Sequence, residues 1–373
     1  MTADRLSMLP TPSLLLDERR MLANIARLRD RMAGLGVGLR PHLKTAKSVE
    51  VARRLLADGT GPATVSTLRE AEIFFAAGVR DILYAVGIAP QKLARAAALR
   101  TAGCDLTLLL DTEEQAEAVA ATGIPALIEI DCDGHRGGLA PDSEALIEIG
   151  RILDRAGALR GVMTHAGESY GAVGTEAQAA FAERERDAVV VAAARLRAAG
   201  LPCPVVSVGS TPTVHAARDL TGVTEVRAGV YVFFDLVMAG IGVCAVDDIA
   251  LSVLTTVIGH QRSRGWVLVD AGWMALSRDR GTANQAVDQG YGLVCDAAGR
   301  VMPDLLLTAA NQEHGIVAAR PGSDAVIPDL PVGTRLRILP NHACATAGQF
   351  DGYEVIPAAA DAPLAHWPRF GGW

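Results

Sequence analysis

Apolar positions along the chain fall into two rhythms. Over the first 235 residues, short runs rich in Leu, Val and Ile alternate with stretches whose apolar residues recur at helical spacing. The strand-like runs are LRPHLK (39–44), ATVST (63–67), DILYAV (81–86), LTLLLD (106–111), ALIEID (126–131), LRGVMTHA (159–166), VVSVGS (205–210) and EVRAGVY (225–231). Between them lie SVEVARRLLADG, REAEIFFAAG and TEAQAAFAERERDAVVVAAARLRAAG, several closed by glycine, the usual helix stop. Eight nearly all-apolar strands in series with helices predict a parallel (β/α)8 barrel, because strands buried on both faces lack a polar alternation. An open doubly wound sheet is the rival, disfavoured because no G-x-G-x-x-G turn follows the first strand.

Beyond residue 240 the rhythm changes. ALSVLTTVIGH, GWVLVDAG, YGLVCDAAGRVM, HGIVAARPG, TRLRILPNHAC and YEVIP read as strands joined by Gly, Pro and Asp turns. This predicts a second, mostly antiparallel β domain over 241–373, joined by the N-terminal 1–17 through a crossing strand SLLLD (13–17), with the barrel over 18–240. The stretch 236–248 is the expected linker.

Half of the 373 residues are hydrophobic, ample for a full core. A net charge of −7 with no basic run disfavours nucleic acid as a partner. No apolar stretch reaches membrane-spanning length and the N-terminus has no signal-like apolar region, so a cytoplasmic protein is expected. Six dispersed cysteines without a C-x-x-C pair read as reduced thiols.

Catalytic residues of such a barrel stand at the C-terminal strand ends. Lys44 closes the first strand, where an amine nucleophile with a lowered pKa can form; taken alone, a rim lysine is the blander reading. Lys47 fits a surface lysine or a helper near a phosphate. VGSTPT (208–213) follows the seventh strand and AGVY (228–231) ends the eighth, the usual phosphate-binding places, with Gly209, Ser210, Thr211, Gly229 and Tyr231 as candidates. Arg136, on the Gly-flanked loop after the fifth strand, can meet a cofactor's ring oxygen. His165 and Tyr170 follow the sixth strand, His165 placed to lie against the ring face. Together they suggest a phosphorylated carbonyl cofactor. In PNHACAT, His342 and Cys344 on an extended strand would share one side and one divalent metal; a core His beside a buried Cys is an equal alternative. Glu313 and His314 lie in NQEHGIV without an evident role.

RPHLKTAKS, STLREAE, EIDCDGHRGG, THAGESY, GSTPT, RAGVYVFFD, VDAGWMALSRDRG, NQEHGIV and LPNHACAT, spread in order over the whole chain, resemble the fold-type III pyridoxal 5′-phosphate (PLP) enzymes. The likeness is to the metal-dependent family of D-serine dehydratase and D-threonine aldolase, most of all its D-threo-3-hydroxyaspartate dehydratase branch. The resemblance implies that Lys44 holds PLP as a Schiff base, and that His165 and Arg136 contact the ring and its oxygen. By the same resemblance Tyr170 reaches the ring nitrogen, and Ser210, Thr211, Gly229 and Tyr231 hold the phosphate. His342 and Cys344 would bind zinc, or Mn, Co or Mg. The implied activity is dehydration of a D-3-hydroxy amino acid, D-threo-3-hydroxyaspartate first, to a 2-oxo acid and ammonia. Cys344 stands where the aldolases tend to carry an acid, which favours dehydration. A D-serine dehydratase, an aldolase, a racemase and a non-catalytic PLP carrier remain as alternatives. The family also implies a homodimer with shared active sites, DAGWMALSRDRG lying at the shared site. A second substrate carboxylate needs a cationic partner in a dry pocket, for which Arg278 and Arg280 are candidates, solvated surface residues being an equal alternative.

Overall fold

A computed structural model of the chain describes residues 5–373; the first four residues of the 1–17 segment lie outside the described residues. The chain forms two compact units. One holds Ala26–Gly229 with Gly372–Trp373, the other the chain up to Ile25 with Val230–Gly371.

The first unit is an eight-stranded parallel sheet of β2 (Gly38–Pro41), β3 (Ala63–Val65), β4 (Asp81–Gly87), β5 (Asp105–Leu110), β6 (Ala126–Ile130), β7 (Leu159–Thr164), β8 (Val205–Val208) and β9 (Glu225–Ala228). Its order is β2-β9-β8-β7-β6-β5-β4-β3, and a parallel bridge from His42 to Thr64 joins the two edges. The ring closes, which excludes the open doubly wound sheet. Leu83, Ala85, Leu109, Leu127 and Met163 form a buried cluster with Val205 against it, so the barrel centre is packed and chemistry is confined to its ends. The strand expected over 39–44 stops at Pro41: the Leu43 N–H turns to the Thr64 carbonyl, and residues 43–46 form a turn.

The second unit is a nine-stranded sheet, order β11-β14-β13-β12-β15-β10-β1-β16-β17, with β10 also pairing β11. Here β1 is Ser13–Asp17, β10 Leu251–Gln261, β11 Trp266–Val269, β12 Leu293–Asp296, β13 Val301–Ala310, β14 Gly315–Ala319, β15 Arg335–Leu339, β16 Gly352–Ile356 and β17 Ala365–Pro368. The six strands from β10 to β15 thus close on themselves with antiparallel pairings. SLLLD joins them as expected, antiparallel to β10 and parallel to β16. The segment expected to be a linker is built into this unit. Leu236–Gly240 is a short helix capped by the Asp235 side chain, and its Leu236 and Val237 N–H groups donate to the Pro340 and Asn341 carbonyls. Among the described residues no helix is long and apolar enough to cross a membrane, and all six cysteines are free.

Candidate active site

The turn after β2 decides which lysine is available. Leu43, Thr45 and Ala46 are buried, so the turn is anchored on both sides of an exposed Lys44. Lys47 is mostly buried and ion-paired, not a free surface lysine. Its ammonium lies 3.2 Å from Oε1 of the fully buried Glu70, whose other oxygen accepts the Ser66 N–H. Beside Lys44, His42 places Nε2 3.2 Å from the Ser66 hydroxyl, and its Nδ1 has no partner among the described residues. Burial pushes its pKa well down, and the nearby charges of Lys44, Arg227 and His165 add to this.

His165 follows β7 and donates from Nδ1 to the Gly209 carbonyl at 2.5 Å. Burial lowers its pKa to about 3 despite that bond, and Arg136, Arg227 and Lys44 push it further down. The ring is therefore neutral, with Nε2 as an acceptor, and three cations stand around it. The Tyr170 ring centroid is 6.2 Å away. Arg136 is half-exposed, 3.5 Å from Glu129; burial raises the pKa of that carboxyl.

The turn after β8 requires Gly209: its φ is +149°, and a Cβ there would stand 1.9 Å from the Arg227 carbonyl. Ser210 spends its hydroxyl as the N-cap of the helix Thr211–Ala216 and on Ser169, 2.7 Å away. The Thr211 hydroxyl is buried with no partner among the described residues. A Cβ on Gly229 would sit 3.1 Å from the His42 carbonyl and the Thr45 hydroxyl, so there too the backbone passes closely. In the other unit, the Tyr231 hydroxyl is buried with no partner among the described residues. Within the first unit, the orphaned Thr211 hydroxyl beside a turn that admits no side chain, at the barrel end where Lys44, Arg136 and Arg227 act on His165, fits a phosphorylated, carbonyl-bearing cofactor.

Two residues that the sequence reading passed over organise this end. Arg227, buried on β9, donates Nε to the Ser207 hydroxyl at 2.9 Å and a second nitrogen to the Thr164 carbonyl; burial lowers its pKa to about 10. Glu185 is fully buried on the helix Thr175–Ala198.

In the second unit His342 and Cys344 do come together, though not on a strand. β15 ends at Leu339, His342 is the N-cap of the helix Ala343–Ala347, and Cys344 lies in its first turn. The buried Asp235, accepting from the Ala343 N–H at 2.9 Å, holds that turn in helical form. His342 Nδ1 meets Asp279 Oδ2 at 2.6 Å. Burial opposes charge on the ring, yet Asp279 and Cys344 beside it raise its pKa to about 11. Among the described residues no group of three or more His, Cys, Asp or Glu is disposed to hold a metal. The donor set is one imidazole nitrogen, Nε2, with Nδ1 fixed by a carboxylate, and one thiol. It fits a divalent ion that keeps open positions. Asp279, missed from sequence, is 63 residues from its partner. Nearby, Arg280 is bound to Asp288 at 2.6 Å, which leaves Arg278, lying over the Trp273 ring at 4.2 Å, the more available cation. Glu313 and His314 are exposed in the turn between β13 and β14.

Known proteins share this organisation. The family described as alanine racemase, N-terminal domain, matches residues 16–237, and the putative serine dehydratase domain matches 250–356. D-threo-3-hydroxyaspartate dehydratase of Delftia sp. (strain HT23) is 58% identical over 99% of this chain and 100% of its own. D-serine dehydratase of Dictyostelium discoideum is 29% identical over 95% of each. A solved cysteine-to-alanine mutant of D-threo-3-hydroxyaspartate dehydratase, in a metal-free form, superposes with a TM-score of 0.96 at 58% identity, covering 99% of this chain and 100% of that one.

Proposed function

The chain belongs to the enzyme family that joins an alanine racemase-type barrel to a serine dehydratase domain, and from that premise we propose that it dehydrates a D-3-hydroxy amino acid, D-threo-3-hydroxyaspartate before others. The products are a 2-oxo acid, oxaloacetate for hydroxyaspartate, and ammonia. The observation that carries this is the 58% identity to a D-threo-3-hydroxyaspartate dehydratase over essentially the whole of both chains.

The first unit's residues would hold PLP: Lys44 at its carbonyl, Arg136, His165 and Tyr170 about its ring, and the turns at Gly209–Thr211 and Gly229 at its phosphate, with Tyr231 carried over from the family likeness. Bound there, PLP supplies the electron sink that acidifies the substrate's α-carbon. His342 and Cys344 would hold a divalent metal, zinc, Mn, Co or Mg, which supplies Lewis acidity toward a departing β-hydroxyl. The chain's own part is in protons and charge. The Lys44 amine takes the α-proton, being the one exposed residue of its turn. Neutral His165, its Nδ1 fixed on Gly209, adds no positive charge to the ring face, while Arg136 and Arg227 favour anionic groups. Asp279 orients the His342 ring so that Nε2 faces outward from the pair. Nucleic acid has no place in this reading, and the assembly is a homodimer.

Purified, metal-replete protein given D-threo-3-hydroxyaspartate, D-serine or D-threonine should release equal amounts of ammonia and 2-oxo acid, fastest from the first. Glycine with an aldehyde or glyoxylate would show an aldolase instead, and the mirror-image amino acid a racemase.

A further inference from the structure

The helix Thr175–Ala198 buries Gln178, Ala182, Glu185, Val189, Ala192 and Leu196, one stripe at helical spacing, packed on β7 and β8. Glu185 is the one acid on that stripe, and a buried carboxylate needs donors to offset its lost hydration. It has three. Oε1 accepts the Ala166 N–H at 2.9 Å and the Gly209 N–H at 3.0 Å, and Oε2 accepts the Thr213 hydroxyl at 2.7 Å. Ala166 is next to His165, and Gly209 is the residue whose carbonyl accepts the hydrogen bond from His165 Nδ1–H. A hydroxyl chain closes the loop: Thr213 to Ser210 at 2.9 Å, Ser210 to Ser169 at 2.7 Å, and Ser169 to the Ala166 carbonyl at 2.7 Å.

We propose that Glu185 is a positioning residue for the cofactor: it ties the turns after β7 and β8 together, so that His165 presents Nε2 and the Thr211 hydroxyl stays uncommitted for phosphate. Glu185 touches neither cofactor nor substrate. It acts through Gly209, whose N–H it takes and whose carbonyl then fixes the histidine tautomer. Ser210 and Thr213 are occupied by this network, which leaves Thr211 as the hydroxyl available to an anion. The inference rests on the reading that this end of the barrel holds PLP.

The test is the PLP dissociation constant of the cofactor-free protein, with the visible circular dichroism of the bound cofactor, in Glu185→Gln, Glu185→Met and Val189→Ala. Val189 is fully buried on the same stripe, so Val189→Ala reports packing loss alone. Glu185→Gln keeps one acceptor oxygen and should weaken PLP about tenfold; Glu185→Met keeps none and should weaken it roughly a hundredfold. Both should alter the visible dichroism, while Val189→Ala binds PLP as the wild type does. If Glu185→Met does not fold, the Gln variant decides. Glutamine and methionine variants that bind PLP within about twofold of wild type with an unchanged spectrum would overturn the proposal while the PLP reading stood. A wild-type protein that takes up no PLP would remove both.

Discussion

Lys44 and Lys47 sit on one turn and have opposite environments, which makes them separable by experiment. Lys44 is exposed between buried neighbours; Lys47 neutralises Glu70, which has no exposure at all. Lys44→Ala should abolish borohydride fixation of PLP to the chain and activity with it, and change stability little. Lys47→Ala should keep the fixation but cost about 3 kcal/mol of unfolding free energy, because it strands a buried carboxylate. An adduct on the peptide containing Lys47, located by mass spectrometry, would reverse this assignment. His165 carries a second prediction at this scale. Its folded pKa of about 3 lies below the ordinary 6.5, so the unfolded chain takes up a proton that the fold refuses. Its contribution is present in full above about pH 6.5 and is lost as the pH falls toward 3, at up to about 1.4 kcal/mol per pH unit. Urea unfolding of the cofactor-free protein should therefore weaken more steeply from pH 6.5 to 4.5 in wild type than in His165→Asn. The buried carboxyl of Glu185, raised by burial, has the opposite slope but is present in both proteins and cancels. Parallel slopes would mean that His165 titrates normally.

Elements show why some of the site could be read from sequence and some could not. Most of the barrel strands announce themselves as short, nearly continuous apolar runs, although β2 carries Arg40, β6 Glu129 and β9 Glu225 and Arg227, and the turns after β7, β8 and β9 inherit their places from strand order alone. Glu185 was legible too, as the one acid on a mostly apolar stripe at helical spacing. The helix Ala343–Ala347 was not. PNHACAT has a strand-like start, and what converts it is a hydrogen bond from the Ala343 N–H to Asp235, more than a hundred residues earlier. Asp279 is invisible for the same reason, since nothing local marks it as the partner of His342. The conformation matters for the metal. An N-cap histidine held by Asp279 and a thiol in the first helical turn offer two donors on a rigid support, with no third protein ligand among the described residues. Chelation by EDTA should then abolish ammonia release and leave the visible band of the bound cofactor in place, because Lys44 and the phosphate turns use none of these residues. Zinc, manganese and cobalt should restore activity to different extents, and Cys344→Ala should reproduce the EDTA effect without lowering the unfolding free energy by more than about 1 kcal/mol. Full turnover in protein shown to be metal-free by elemental analysis would exclude a metal-assisted departure of the hydroxyl and bring the racemase reading forward.

At the scale of the whole molecule, the question is whether one chain suffices. The segment from Trp273 to Arg280 holds Asp279 against His342, yet it exposes Met274 and stacks Arg278 over Trp273 at its surface. Apolar and cationic surface beside a candidate metal pair suits contact with something that brings an anion. In the homodimer proposed above, this segment would meet a second copy of the chain in a closed two-fold pair. Arg278 rather than Arg280 is then the candidate for the second carboxylate of hydroxyaspartate, since Arg280 is already bound to Asp288 and a buried anion needs a cation or several donors. Two measurements follow from one preparation. Sedimentation at assay concentration should give a dimer, and dilution through its dissociation should lower specific activity in step with the dimer fraction. Arg278→Ala should raise the Michaelis constant for hydroxyaspartate about tenfold or more and leave that for D-serine within about twofold, since only the former has the extra charge to lose. A monomer with full specific activity would show each chain to be complete in itself, and equal changes for both substrates would take Arg278 out of substrate selection.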